Sequence, residues 1–282
     1  MTGTVLVLGA TGNTGSAVVE TLGEQAAACV RTATRAAAAP TRFGHARFDW
    51  ADPGTFAAAL DGVERVYLVA PVGEADPVRL VAPFLDRARR CGVRRVVMLG
   101  SSAVDAGDPG LGDVVTAVRD TMPEWQILRP SWFMQNFVGR HPIADAIRAD
   151  GEFRTSAGTG RLPFIDARDI GRTAAHLLAA PRAHNAEHRL TGPQALSYDD
   201  AAAVLTTATG RPVRHRAVGT DDHIRFLTDA GYDAGFAAVL AGLDTRVRTG
   251  LEATVTDTVE RLTGRAPRSF REFVASAAGV RP

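Results

Sequence analysis

The sequence predicts an α/β protein built on a doubly wound parallel sheet, and three observations lead there. Short apolar runs alternate with helix-length amphipathic segments through the first 100 residues. The runs are apolar at consecutive positions, as strands covered on both faces must be. The connections between them are long enough to cross the sheet, which parallel neighbours require.

Taken in order, the β-type runs fall at residues 4–8, 27–31, 46–48, 65–69, 95–99 and 125–128. Helical patterns fill 16–23, 53–60 and 78–91; the second stops at Asp61-Gly62 and the third at Gly92, because glycine takes the backbone that ends a helix. Residues 36–39 are a loop run of small side chains. Beyond Pro130 the rhythm loosens into a helix at 143–150, a turn at Gly158-Thr159-Gly160, a short strand at 164–166 and an alanine-rich helix at 168–180. The last third reads as strands at 189–190 and 213–218, with helices at 198–209, 221–230, 236–240, 251–262 and 270–277. Residues 1–140 then form the sheet domain. Residues 141–282 form a smaller α/β substrate-binding or lid region interleaved with it.

Composition narrows the function. Basic and acidic residues number 32 and 31, a net charge of +1, which lacks the single-sign field of a nucleic-acid or membrane binder. Cys29 and Cys91 are too few for a disulfide framework, and no apolar stretch approaches the ~20 residues that span a bilayer. The N-terminus passes from Met1-Thr2-Gly3 into a strand without a basic leader, so a cytoplasmic protein is expected. Every one of the 32 basic residues is arginine. That excludes a Walker lysine, a Schiff-base lysine and a Tyr-x-x-x-Lys acid–base pair.

Gly9-Ala10-Thr11-Gly12-Asn13-Thr14-Gly15 closes the first strand and opens a helix. One glycine makes the tight turn, the next admits a pyrophosphate to the backbone, and the third lets helix lie on strand, so the segment predicts a Rossmann dinucleotide site. Ligands of such a sheet bind where its strands end. After the second strand come Arg31 and Arg35 and no carboxylate, which suits a 2'-phosphate and predicts NADP(H). Asp49 and Trp50 close the third strand beside the expected adenine, though Trp50 serves equally well as a core aromatic. Val69, Ala70 and Pro71, then Ser101 and Ser102, and finally Pro130 close the next three strands along the expected cofactor path. His184-Asn185-Ala186-Glu187-His188 has the spacing of a zinc motif but lies outside a helix, so no metal is expected.

These motifs, together with Gly100-Ser101-Ser102, Leu128-Arg129-Pro130-Ser131-Trp132-Phe133-Met134-Gln135-Asn136-Phe137, the 164–170 segment and Leu190-Thr191-Gly192-Pro193, resemble the NmrA-like atypical short-chain dehydrogenases nearly end to end. The segment after Leu128 most resembles the branch holding ergot-alkaloid-type reductases. That resemblance implies NADPH-dependent reduction of a small, planar, unsaturated acceptor: an iminium or imine, an enone or a quinone. The family also holds regulators that bind dinucleotide without turnover, and relatives recruited to non-redox chemistry such as cyclisation; both stay open here. Where family enzymes often carry a lysine, near Gly112-Asp113, this chain has none, which makes ordinary ketone reduction the least suited assignment. Trp132, Phe133, Met134 and Phe137 are expected to wall the acceptor, with Gln135 and Asn136 orienting it and His141 or Asp166 as proton donors. A small-molecule substrate and a monomeric or homodimeric protein complete the expectation.

Overall fold

A seven-stranded sheet organises the first of two units. The structure is a computed structural model and describes residues 3–24, 29–36 and 43–279; residues 27 and 28 of the predicted second strand and 37–39 of the small-residue loop lie outside them. In chain order the first unit holds β1 (Thr4–Leu8), α1 (Asn13–Glu24), β2 (Cys29–Thr34), β3 (Gly44–Arg47), α2 (Phe56–Leu60), β4 (Val63–Val69), α3 (Val78–Arg90), β5 (Arg95–Leu99), α4 (Leu111–Thr121) and β6 (Glu124–Pro130). A single 3-10 turn, Pro53–Thr55, leads into α2. Across the sheet these strands stand in the order β3-β2-β1-β4-β5-β6, with a seventh strand beyond β6, and the neighbours from β3 through β6 all pair in parallel.

Both faces of this sheet are covered. Leu6, Leu8, Val66, Leu68, Val96 and Met98 belong to one apolar cluster with α2, α3 and α4. Val5, Val7, Tyr67 and Val97, which alternate with them and so point the other way, are equally buried.

The chain leaves this unit at Pro130 rather than near 140, returns for residues 167–189 and again for 261–264. The second unit holds α5 (Pro142–Asp150), β7 (Glu152–Thr155) and β8 (Arg161–Leu162), after which α6 (Ala167–Ala179) and most of β9 (Ala186–Leu190) belong to the first. It resumes with β10 (Leu196–Ser197), α7 (Tyr198–Thr209), β11 (Arg214–Ala217), α8 (Thr220–Asp229) and α9 (Ala234–Arg248). α10 (Thr258–Thr263) and α11 (Phe270–Ala277) close the chain. Within the first unit, α6 lies on α1 so closely that a Cβ on Gly171 would fall 2.4 Å from that of Ala17.

Three sequence expectations need correction in the second unit. Residues 164–166 form no strand; Ile165 makes one isolated bridge to Phe133. Residues 251–257 are turns and loop, and the helix begins only at Thr258. Met134 and Phe137 are buried, and Phe137 meets Phe164 and Phe270 edge-on at 5.1 and 5.0 Å, so both belong to the core of this unit rather than to an acceptor wall.

Candidate dinucleotide site

The glycine turn performs its three tasks separately. Gly9 has φ +63°, a backbone that side chains rarely adopt, and its carbonyl accepts a hydrogen bond from Gly12 N at 2.8 Å. A Cβ on Gly12 would stand 3.2 Å from that same carbonyl, and one on Gly15 only 2.2 Å from it. The first turn of α1 can therefore lie against the end of β1 only if residue 15 is glycine. The turn leaves backbone N–H groups at the start of a 12-residue helix with no acidic side chain in its first turn, which is the electrostatic setting a diphosphate needs.

This turn forms one wall of a cavity of about 510 Å³ that lies wholly within the first unit. Gly9, Thr11 and Gly12 line it from the β1 end. Thr34 and Arg35 line it from β2, Asp49 and Trp50 from β3, and Val69, Ala70 and Pro71 from β4. Trp50 has a double part, since it also meets Phe84 and Phe48 edge-on at 5.3 and 4.9 Å and is packed against the core.

Arg31 is a correction. β2 runs on to Thr34, so Arg31 lies inside the strand, where its Nη1 donates to the carbonyls of Ala59 and Asp61 at 3.0 and 2.6 Å. Its guanidinium closes the C-terminal end of α2, and it does not line the cavity. Arg35, just past the strand end, does. Beside it is a residue the sequence reading passed over: the Thr34 hydroxyl is buried and has no hydrogen-bond partner among the described residues. A buried hydroxyl without a partner costs free energy unless a ligand or water completes it. An orphaned hydroxyl next to an arginine fits an anionic ester, so the residues present suit a 2'-phosphorylated dinucleotide. That β2 runs past Arg31 was readable in Thr32-Ala33-Thr34, whose β-branched alternation extends the strand.

Other predicted residues fall elsewhere. Asn13, Thr14 and Gly15 form the first turn of α1 and do not line the cavity; neither do Ser101, Ser102 and Pro130, at the ends of β5 and β6. Ser102 is 1% exposed, and its N–H donates to Pro130 O, so its side chain is packed in rather than offered. The loop carrying both serines is held by Arg129, which donates to the carbonyls of Ser101 and Ser102 at 3.2 Å each and pairs with Glu187. Thus Glu187, one member of the supposed zinc pattern, is an arginine partner on β9. His188 bonds to Gln126, and no group of three metal-ligating side chains occurs among the described residues.

The two candidate proton donors, both in the second unit, are corrected as well. His141 is the N-cap of α5, its Nδ1 accepting from Ile143 N at 3.2 Å. Burial lowers its pKa to about 4 against the opposing pull of Asp145, so it is neutral near pH 7. Asp166 is 1% exposed, with Oδ1 taken by Gln135 Nε2 at 2.7 Å and Oδ2 by Arg268 at 3.2 Å. Both oxygens of the Asp166 carboxylate are therefore already engaged by neighbouring side chains. Gln135 is thereby fixed by Asp166. Trp132, Phe133 and Asn136 remain partly exposed in the same segment.

Residues 9–181 match the NAD(P)H-binding family. The chain belongs to that family. It is 41% identical to an uncharacterized oxidoreductase of Bacillus subtilis over 97% of this chain and 95% of that one. It is 36% identical to agroclavine dehydrogenase of Claviceps fusiformis over 98% of each. Among solved structures, the NADPH-dependent quinone oxidoreductase of Escherichia coli complexed with NADPH superposes with a TM-score of 0.83 at 22% identity, covering 96% of this chain and 99% of that one, and so shares the fold. The Rossmann-type sheet expected of the family is the one observed. No helix among the described residues is long and apolar enough to cross a membrane.

Proposed function

We propose that this protein is an NADPH-dependent oxidoreductase that reduces a small, planar, unsaturated acceptor of the iminium or imine, enone or quinone class. One observation carries the cofactor: the cavity that opens on the glycine turn is also lined by Arg35 and by Thr34, whose buried hydroxyl has no partner among the described residues. The Gly9–Gly15 turn would hold the pyrophosphate, Arg35 and Thr34 the 2'-phosphate, and Asp49 and Trp50 would flank the adenine. When bound, NADPH supplies hydride from its nicotinamide.

The acceptor class follows from what the chain cannot do. It has no lysine, His141 is neutral, and Asp166 is held by Arg268. An acceptor that arrives electrophilic asks for orientation and exclusion of water more than for a proton, and a cationic iminium becomes a neutral amine on hydride addition alone. A relative named agroclavine dehydrogenase supports the same class. Trp132, Phe133 and Asn136 are the side chains proposed to meet the acceptor. We further infer a cytoplasmic protein, monomeric or homodimeric, with a small-molecule substrate.

Oxidation of NADPH followed across a panel of iminium salts, enones, quinones and simple ketones tests the reading. Turnover of an iminium or quinone at least 100-fold faster than of any ketone is expected. NADPH binding without oxidation of any acceptor would point instead to a regulator that only senses the nucleotide.

A further inference from the structure

We propose that His45 is a positioning residue for nucleotide choice: it anchors the backbone bend that carries Arg35 and does so without touching the cofactor. The inference rests on Arg35 meeting the 2'-phosphate as proposed above.

His45 stands on β3 in register with Thr32 of β2. Its Nε2 lies 3.0 Å from the carbonyl of Ala36, and its Nδ1 lies 3.2 Å from the hydroxyl of Thr32. A carbonyl only accepts, so Nε2 carries the proton and donates, while Nδ1 accepts from the threonine. The imidazole is thus held at both nitrogens. Thr32 is 4% exposed and lies within β2, so one end of the clamp is rigid. The other end is the bend at residues 35–36, where the chain has left the strand and both side chains are exposed. Among the described residues, the side chain that hydrogen-bonds to this bend is His45, which ties the backbone beside Arg35 to the sheet.

The effect on binding is a matter of order. A guanidinium whose backbone is already placed loses less freedom when it grips an anion than one whose backbone must be ordered in the same step. That advantage exists only for a nucleotide bearing the 2'-phosphate. A residue supporting the site in general would help both nucleotides alike.

The test is a set of dissociation constants for NADPH and NADH, taken by nucleotide fluorescence on the wild type, His45→Ala, His45→Gln, His45→Asn, Arg35→Ala and the His45→Ala/Arg35→Ala double variant. His45→Ala is expected to weaken NADPH about three- to tenfold, the worth of one hydrogen bond, and to leave NADH within about twofold. Glutamine, whose amide nitrogen reaches the place of Nε2, should restore most of the loss, and the shorter asparagine should not. In the Arg35→Ala background His45→Ala should change nothing further, because the residue acts through Arg35. Equal weakening of both nucleotides, full additivity with Arg35→Ala, or an unchanged NADPH constant would each overturn the proposal. Should His45→Ala fold poorly, the contrast between glutamine and asparagine decides alone. An Arg35→Ala variant that keeps the wild-type preference for NADPH would instead remove the reading of Arg35 beneath it.

Discussion

Arg31 and Arg35 are the same side chain four positions apart, and the end of β2 between them gives them different work. Arg35→Ala should raise the NADPH dissociation constant more than tenfold, on the order of 1.4 kcal/mol, and leave NADH unchanged. Arg31→Ala should keep the nucleotide preference and cost about 1–2 kcal/mol of stability, read by urea denaturation, because two carbonyls at the end of α2 lose their donor. His141 makes a prediction of a different kind. Its folded pKa, about 4, is below the ordinary 6.5, so the unfolded chain takes up the proton first as pH falls. The fold keeps its full stability above pH 6.5 and loses on the order of 3 kcal/mol as pH falls from 6.5 to 4. His141→Asn keeps a side-chain acceptor for the first turn of α5 and removes the titration. Its urea midpoint should fall less than that of the wild type between pH 7 and pH 4.5.

At the scale of elements, the close packing of α1 on α6 is the most exposed to a single change. Gly171→Ala puts a methyl 2.4 Å from Ala17 Cβ and 2.9 Å from backbone atoms of α1, and should destabilise by about 1–3 kcal/mol. Gly62→Ala meets no atom within 4 Å and should lose only the strain of its positive φ, a contrast that chemical denaturation will show. The same elements mark where sequence reasoning reaches. β1, β5, α7 and α11 stand where the sequence places them, because apolar runs and local capping decide them. Ser197 and Ser269 each accept from the third backbone N–H of their helix while Asp200 and Glu272 reach back. α4 gave only half of that signal: Asp113 reaches back to Gly110 N, but the cap is Gly110 at φ +82°, with no side chain to accept, and Gly112 follows, so its start depends on a tight turn against Asp105 and Asp108. Residues 251–257 have the composition of a helix, yet Thr256 bonds to the distant Thr191 and Glu252 turns back to Arg246, contacts that hold the segment in turns and loop. The glycine turn was legible for the same local reason as the capped helices. The orphaned Thr34 hydroxyl was not, since a missing partner is a property of the folded surroundings.

For the whole molecule, the nucleotide should act as a stabiliser of the folded state. NADPH at 100 times its dissociation constant should raise the unfolding free energy by about 2.7 kcal/mol, and the same NADPH concentration should do much less for Arg35→Ala, as a thermal-shift series will record. One feature of the sheet bears on behaviour in concentrated solution. β3 closes the series at one side with only four residues, and both ends of it, Gly44 and Arg47, are exposed. A terminal ribbon this short, finished by the hydrated Arg47–Asp52 ion pair, offers a second molecule few amide groups to zip onto and a charged pair that association would have to desolvate. Replacing Arg47 by valine would remove that guard. Light scattering should then detect self-association of native protein at concentrations where the original chain stays dispersed, with far-ultraviolet circular dichroism unchanged at dilution.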